Sequence, residues 1–129
     1  MNATKKLTLA LALALGSSQV LALGLGQIRV KSTLNQPLRA EIPVLADNAA
    51  ELRGLEVALA SPEDFARAGL NLSRMTVPLE FKLVRHGASA VIEVSTDKPV
   101  GEPALDFLIS VNWANGKLLR EYSVLLDPP

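Results

Sequence analysis

The sequence predicts a mainly β protein, a two-layer sandwich of seven strands with one short helix between two of them. Five internal segments alternate apolar and polar residues with a period of two, which is the pattern of strands with one buried face. Two longer apolar-rich runs flank Asn115-Gly116, and Asn-Gly between such runs indicates a β-hairpin. About 107 residues follow the export signal described next, which is the size of one ordinary domain.

The first 22 residues, MNATKKLTLALALALGSSQVLA, have the pattern of a secretory signal peptide. Lys5 and Lys6 form a short basic region, an apolar stretch follows, and Val20 and Ala22 occupy the positions that signal peptidase reads. The alternative is a membrane anchor, but the apolar core is only about nine residues long and a membrane span needs about 20. We therefore expect a signal peptide over residues 1–22, cleavage after Ala22, and one domain over residues 23–129.

The five internal strands are predicted from alternating segments in chain order, which read QIRVKS, LRAEIPVL, LEVALA, LEFKLV and AVIEVS. In each segment every second residue is apolar and is expected to face the core. These inward residues are Ile28, Val30, Leu38, Ala40, Ile42, Val44, Leu55, Val57, Leu59, Leu79, Phe81, Leu83, Ile92 and Val94. Pro43 lacks an N–H, so the second strand is expected to have an edge or a bulged position there.

The segment ASPEDFARAG predicts a helix of about two turns between the third and fourth strands. Ser61 is a favourable N-cap, and Pro62 at the first helical position loses no hydrogen bond. Asp64 stands where a capping-box acid can reach back, and Gly69 supplies a stop. Phe65, together with Ala68 three residues later, is expected to attach the helix to the edge of the sheet.

The terminal hairpin is predicted to be the centre of the core, because it contains most of the aromatic residues. With Asn115-Gly116 at the middle of the turn, Trp113 would lie opposite Leu118 and Ile109 opposite Tyr122. This register places Arg120 opposite Val111 on an otherwise apolar face. Two explanations are open for Arg120: a bulge turns it outward, or its aliphatic stem extends along the surface.

Seven short strands joined by turns favour an immunoglobulin-like β-sandwich, with an open barrel as the alternative. The chain contains no cysteine, so Trp113 cannot be the disulfide-packed tryptophan of antibody domains.

No residue pattern indicates catalysis, and the sequence predicts no catalytic, cofactor-binding or metal-ligating residues. The single histidine, His86, is expected in a turn, and the acidic pairs fall in turns or caps, where solvated surface is the ordinary interpretation. The segment LGLGQ lacks the third glycine and the helix of a dinucleotide-binding loop. Without a nucleophile, a base and an orienting group, the chain is not predicted to be an enzyme.

The charge balance argues against nucleic acid as a partner. The whole chain has 13 basic and 13 acidic side chains, and removal of Lys5 and Lys6 leaves a net charge of about −2. No basic patch stands out, so nucleic acid and anionic lipid are both poor candidates.

Three segments in this order resemble the N-terminal periplasmic domain of the FimV/HubP/TspA family. They are LGLGQIRVKSTLNQPLRAEIPVL, LASPEDFARAGL and DFLISVNWANGKLLREYSVLLDPP, and they span nearly the whole chain after the signal. The resemblance implies a non-catalytic periplasmic domain that supports type IV pilus secretin assembly and twitching motility. It implies protein partners, such as the pilus secretin or inner-membrane pilus assembly components.

In longer members of that family, a peptidoglycan-binding LysM module, a membrane helix and a cytoplasmic region follow this domain, and the membrane helix anchors the protein. The resemblance therefore implies that Pro128-Pro129 marks a module boundary. Peptidoglycan binding is expected only through a LysM module, which this chain does not contain. The alternative function is an independent periplasmic immunoglobulin-like binding module of chaperone or adhesin type.

The signal-peptide hypothesis makes a direct prediction about the exported chain. Protein recovered from the periplasm should begin at Leu23, as determined by N-terminal sequencing. Membrane-bound material that retains Met1 would contradict the predicted cleavage.

Overall fold

The fold is seen in a computed structural model that describes residues 23–47, 49–87, 89–114 and 116–129. The predicted signal peptide lies outside these residues. The strands are β1 (Gly24–Leu25), β2 (Arg29–Val30), β3 (Pro37–Leu45), β4 (Glu56–Leu59), β5 (Glu80–His86), β6 (Ser89–Pro99), β7 (Ala104–Trp113) and β8 (Gly116–Leu125). The α-helix is α1 (Pro62–Arg67), and short 3-10 helices cover Ala49–Leu52 and Leu72–Arg74.

The strands form two antiparallel sheets. The first has the order β1-β3-β6-β5, with β2 also paired to β3, and the second has the order β4-β7-β8. Because β1 and β2 pair one after the other with the same strand, β3, they act as one interrupted first strand. Counted this way, the seven strands follow the immunoglobulin arrangement of four strands facing three, which confirms the predicted fold class.

The core lies between the sheets and is filled by the predicted inward residues of the long strands. Side chains with almost no exposed surface come from both sheets and from the two connections that cover the sandwich. They are Phe65, Phe107, Leu38, Ile42, Leu52, Ile92, Ile109, Val94, Val111 and Val124. Packing of this kind is the main stabilising term in a chain without disulfides.

Pro43 lies in the interior of the first sheet, because β3 has neighbours on both sides. The Gly26 N–H donates to the Pro43 carbonyl at 2.8 Å, so the backbone of Pro43 faces the N-terminal segment. The missing N–H therefore falls in the gap between β1 and β2, and the ladder between β3 and β6 is not interrupted there. Pro43 was expected at an edge or a bulge of its own strand. It lies instead opposite the interruption between β1 and β2.

Helix α1 begins and ends as the sequence predicts. Ser61 is the N-cap, and its hydroxyl accepts a hydrogen bond from the Asp64 N–H at 3.2 Å. At the other end the Gly69 N–H donates to Ala66 and the Leu70 N–H donates to Phe65, which is the Schellman pattern. This pattern requires a left-handed residue after the helix, and Gly69 has φ +76°.

The packing of α1 differs from the prediction at one position. Phe65 is fully buried, whereas Ala68 is exposed, so the phenylalanine alone of this pair attaches the helix to the core. Asp64 is 8% exposed, and its carboxylate lies 3.5 Å from both the Arg67 guanidinium and the Lys117 ammonium. The second of these ion pairs ties the helix to β8.

The predicted register of the terminal hairpin is wrong by two residues. Trp113 lies opposite Gly116, and only residues 114–115 separate the paired ends. A Cβ at Gly116 would lie 3.3 Å from the Trp113 ring, so a glycine suits the position that the half-buried tryptophan covers. Because a shift of two residues preserves the alternation, the predicted inward and outward faces of the hairpin are nevertheless correct.

The capped helix provides a test of the local structure. Ser61→Ala should lower the free energy of unfolding by roughly 0.5–2 kcal/mol, because the Asp64 N–H loses its acceptor. Gly69→Val should lower it by about 1–2 kcal/mol, because a branched side chain is strained at positive φ. Denaturant melts would measure both.

Matched variants separate these causes from general damage to the helix. Ser61→Asp keeps a capping oxygen, and Gly69→Asn is better tolerated in the left-handed region. Melts in which the disruptive and the conservative variants are equally stable would remove the assigned roles of Ser61 and Gly69.

Candidate interaction surfaces

The titratable residues that the sequence analysis considered are dispersed. His86 is exposed at the end of β5, and Glu102 accepts a hydrogen bond from the Thr76 hydroxyl at 2.9 Å. The Asp47 N–H donates to the Glu51 carboxylate at 3.1 Å. Within the described ranges, no group of three histidine or acidic side chains could hold a metal ion.

The outward face of the first sheet carries a row of charges that crosses four strands. Arg29 on β2 lies opposite Glu41 on β3, Glu41 lies opposite Glu93 on β6, and Glu93 lies opposite Lys82 on β5. Two neighbouring carboxylates thus lie between two cations. Sequence alternation placed each of these residues outward, but the row itself depends on the strand order β2-β3-β6-β5, which alternation does not reveal.

Lys31 adds a third cation beside this row. Its ammonium lies 2.6 Å from the Glu41 carboxylate, and their hydrogen bond lowers the pKa of Glu41 below its ordinary value. Because both side chains retain solvent contact, this pair contributes little to stability. Its main effect is to keep Glu41 ionised and positioned.

A groove of about 360 Å³ runs over the same face. It is lined by Glu41, Glu93 and Lys82 of the row and by neighbours that include Lys31, Arg39, Glu80 and Ser95. We call the outward residues Arg29, Lys31, Arg39, Glu41, Glu80, Lys82 and Glu93 the charged face. Mixed charges on rigid strands can bind polar groups of both signs, which suits a protein surface better than a ligand of one charge.

An apolar row borders the charged face. Val91 on β6 lies opposite Pro43 on one side and Val84 on the other, and all three are half-buried. Leu45 at the end of β3 is 57% exposed. The outward side of this sheet thus combines ionic and apolar contacts, which is the usual composition of a protein-binding surface.

Two side chains of β8, in the second sheet, bind the backbone of the N-terminal segment. The Arg120 guanidinium donates to the Leu25 carbonyl, and the Tyr122 hydroxyl donates to the Gly26 carbonyl at 2.8 Å. The guanidinium also lies over the Tyr122 ring, 5.1 Å from its centroid. We call this arrangement the β8 clamp, and it connects the two sheets along one edge.

The β8 clamp resolves the exception noted in the hairpin. The pairing of β7 with β8 shows no irregularity, so no bulge turns Arg120 outward. Its side chain instead extends to a backbone carbonyl at the boundary of the core. Burial raises the pKa of the Tyr122 hydroxyl above its ordinary value of 10.0, and the nearby Arg120 charge opposes part of that rise.

The backbone of β8 pairs with β7 on one side only, because β8 is the last strand of its sheet. Its outward face carries two exposed leucines, Leu119 at 40% and Leu125 at 77%. An exposed strand edge beside apolar side chains is a second candidate surface.

The helices of the described ranges are all too short or too polar to cross a membrane.

The comparison with protein families matches residues 23–129 to the FimV N-terminal domain, described as an Ig-like domain. The chain belongs to the FimV N-terminal domain family. Two relatives, the motility hub protein FimV of Pseudomonas aeruginosa strains PAO1 and UCBPP-PA14, are each 49% identical to it over 127 residues. The match covers 94% of this chain but 13% of each relative, so this FimV-like chain spans a small part of their length. No solved structure matches it.

The β8 clamp can be tested through Tyr122, the single tyrosine of this FimV-like chain. Tyr122→Phe should lower the free energy of unfolding at neutral pH by roughly 0.5–1.5 kcal/mol, because the hydroxyl no longer donates to Gly26. Chemical denaturation would measure the difference.

The raised pKa of Tyr122 makes this contribution pH-dependent. The folded chain holds the phenolic proton more tightly than the unfolded chain, so the contribution is complete below pH 10.0 and is lost as the pH rises through the folded-state pKa. An absorbance titration of the single tyrosine should therefore have its midpoint above 10.0. An ordinary midpoint, together with an unchanged stability of Tyr122→Phe, would show that the hydroxyl is not held by the clamp.

Proposed function

We propose that this domain is a non-catalytic protein-interaction module of a FimV-like protein, and that it supports type IV pilus secretin assembly and twitching motility. Family membership supports this assignment, since the matched relatives are named motility hub proteins. The proposed site of action is the periplasm, which the domain reaches through the predicted signal peptide. In longer family members the inner membrane anchors the protein.

The observation that carries the proposal is the outward side of the first sheet. It presents the charged face and the apolar row side by side on four hydrogen-bonded strands, so its side chains are held in fixed rows before a partner arrives. Such preorganisation reduces the entropy lost on binding.

The partner proposed for this surface is a protein with its own mixed charges. The central carboxylates Glu41 and Glu93 would meet basic side chains, and Lys82 at the end of the row would meet an acidic one. Candidates are the pilus secretin and inner-membrane components of the pilus machinery. Peptidoglycan contact is proposed only through a LysM module elsewhere in a longer protein, and nucleic acid is not proposed.

The proposal is tested by charge reversal in the full-length protein. Glu93→Lys should remove most twitching and reduce secretin multimers, because it reverses the centre of the row and places two lysines opposite each other on β5 and β6. The amount of protein in the periplasm should stay near the wild-type level, since Glu93 is exposed. Twitching zones, secretin immunoblots and FimV-like protein immunoblots would be measured together.

Two controls separate binding from folding. Glu56→Lys makes the same exchange on the exposed side of β4 in the other sheet, and twitching should be retained. Trp113→Ala removes a half-buried ring of the hairpin, so twitching should fall only in parallel with the amount of folded protein. Normal twitching after deletion of residues 23–129 would contradict a role of this domain in motility.

A further inference from the structure

Strand β8 is the longest strand in the described part of the chain that has an unpaired edge. It has ten residues in unbroken register with β7, whereas the other edge strands have two, two, four and seven residues. Proteins usually shorten, bend or cover their edge strands, because a free edge can pair with another strand. The exposed Leu119 and Leu125 show that the face beside this edge is also uncovered.

The hydrogen-bond pattern shows which residues of β8 present their backbone to the open edge. The Leu126 N–H donates to the Pro103 carbonyl at 2.8 Å, in the same register that pairs β7 with β8. Because hydrogen-bonded pairs alternate along an antiparallel ladder, the even-numbered residues of β8 bind β7. The odd-numbered residues, among them Lys117, Leu119 and Glu121, direct their N–H and C=O groups outward.

We propose that a second copy of this chain pairs with β8 along this edge. In the pairing that fits, Leu119 lies opposite Leu119 of the second copy, and Lys117 lies opposite Glu121 of the second copy. The two-fold symmetry repeats the Lys117–Glu121 pair on the other side of the leucines. The three residue pairs each exchange two backbone hydrogen bonds, and the two three-stranded sheets become one sheet of six strands.

Charge complementarity selects this register and this occupant. A two-fold axis at Glu121 would place two carboxylates directly opposite each other, which is unfavourable. A longer overlap would place Lys117 opposite Asp127. The Asp127 carbonyl is not free to pair with a second copy, because it already accepts a hydrogen bond from the Leu34 N–H at 2.8 Å. The register centred on Leu119 brings the Glu121 carboxylate beside Lys117, whose ammonium also lies 3.5 Å from Asp64 of its own chain, and it buries an exposed leucine, using only the sequence of β8 itself.

The test uses the exported chain purified from the periplasm and measured by sedimentation velocity over a concentration series. The wild-type chain should shift from monomer to dimer as the concentration rises. Glu121→Pro should weaken this dimer about tenfold or more, because it removes two outward N–H groups of the pair while leaving the ladder with β7 intact. Leu125→Pro is the matched control, since its N–H also faces outward but lies beyond the paired segment.

The absence of cysteine allows a second measurement of the same register. Leu119→Cys should form a disulfide-linked dimer under mild oxidation, because hydrogen-bonded partners in an antiparallel pair have Cα atoms about 5.5 Å apart. Leu125→Cys should not. If Glu121→Pro does not fold, the comparison of cross-linking through Leu119→Cys and Leu125→Cys tests the proposed pairing.

A wild-type chain that stays monomeric at all concentrations overturns the proposal, as does a dimer that Glu121→Pro leaves unchanged. Equal cross-linking through Leu125→Cys, or none through Leu119→Cys, overturns it as well. These outcomes do not bear on motility, so they are independent of the function proposed above.

Discussion

Strand β8 is held by two different kinds of contact, and the rest of the structure depends on that difference. On one side its backbone pairs with β7 along ten residues. Toward the first sheet it is held by side chains, since Arg120 and Tyr122 donate to the carbonyls of Leu25 and Gly26. The side chains close the sandwich without using the backbone groups of the edge. The fold is thereby complete, while the strand remains able to pair.

The same contacts hold the N-terminal segment that begins at Leu23 against the core. Leu23 and Leu25 are both buried, and Gly24 already pairs with β3. The β8 clamp binds the carbonyls immediately after this short strand, where the pairing with β3 is interrupted around Pro43. A two-residue strand has little stability alone, so the side chains of β8 supply what the short ladder lacks. Leu23, the residue that the predicted signal cleavage would expose, is thus buried in the core.

Sequence patterns predicted the elements well where one local signal determined them. Alternation identified the strands from β2 to β6 and their inward faces, the apolar runs around Asn-Gly identified β7 and β8, and the Ser61 and Gly69 signals identified α1. Strand β1 was missed, because two residues are too few to show a period. The hairpin register was wrong because an Asn-Gly pair was taken as the turn centre, whereas Gly116 is the first paired residue of β8 and lies against the Trp113 ring. Local sequence does not contain that contact between neighbouring strands.

The interaction surfaces were less predictable than the fold for a physical reason. Each member of the charged face is outward by alternation, but the row from Arg29 to Lys82 exists only because β3 pairs with β6, across a long sequence separation. The β8 clamp joins residues about 95 positions apart, and the sequence marked it only as an arginine on an apolar face. Long-range contacts therefore created both the charged face and the β8 clamp.

The most direct test of this account is amide hydrogen exchange along β8, followed by NMR at low protein concentration. The account predicts an alternation: the amides of Leu118, Arg120 and Tyr122 exchange slowly, and those of Leu119 and Glu121 exchange quickly. Slow exchange at every position would contradict it by showing that another backbone already covers the edge. Fast exchange at the even-numbered positions would contradict the pairing of β7 with β8.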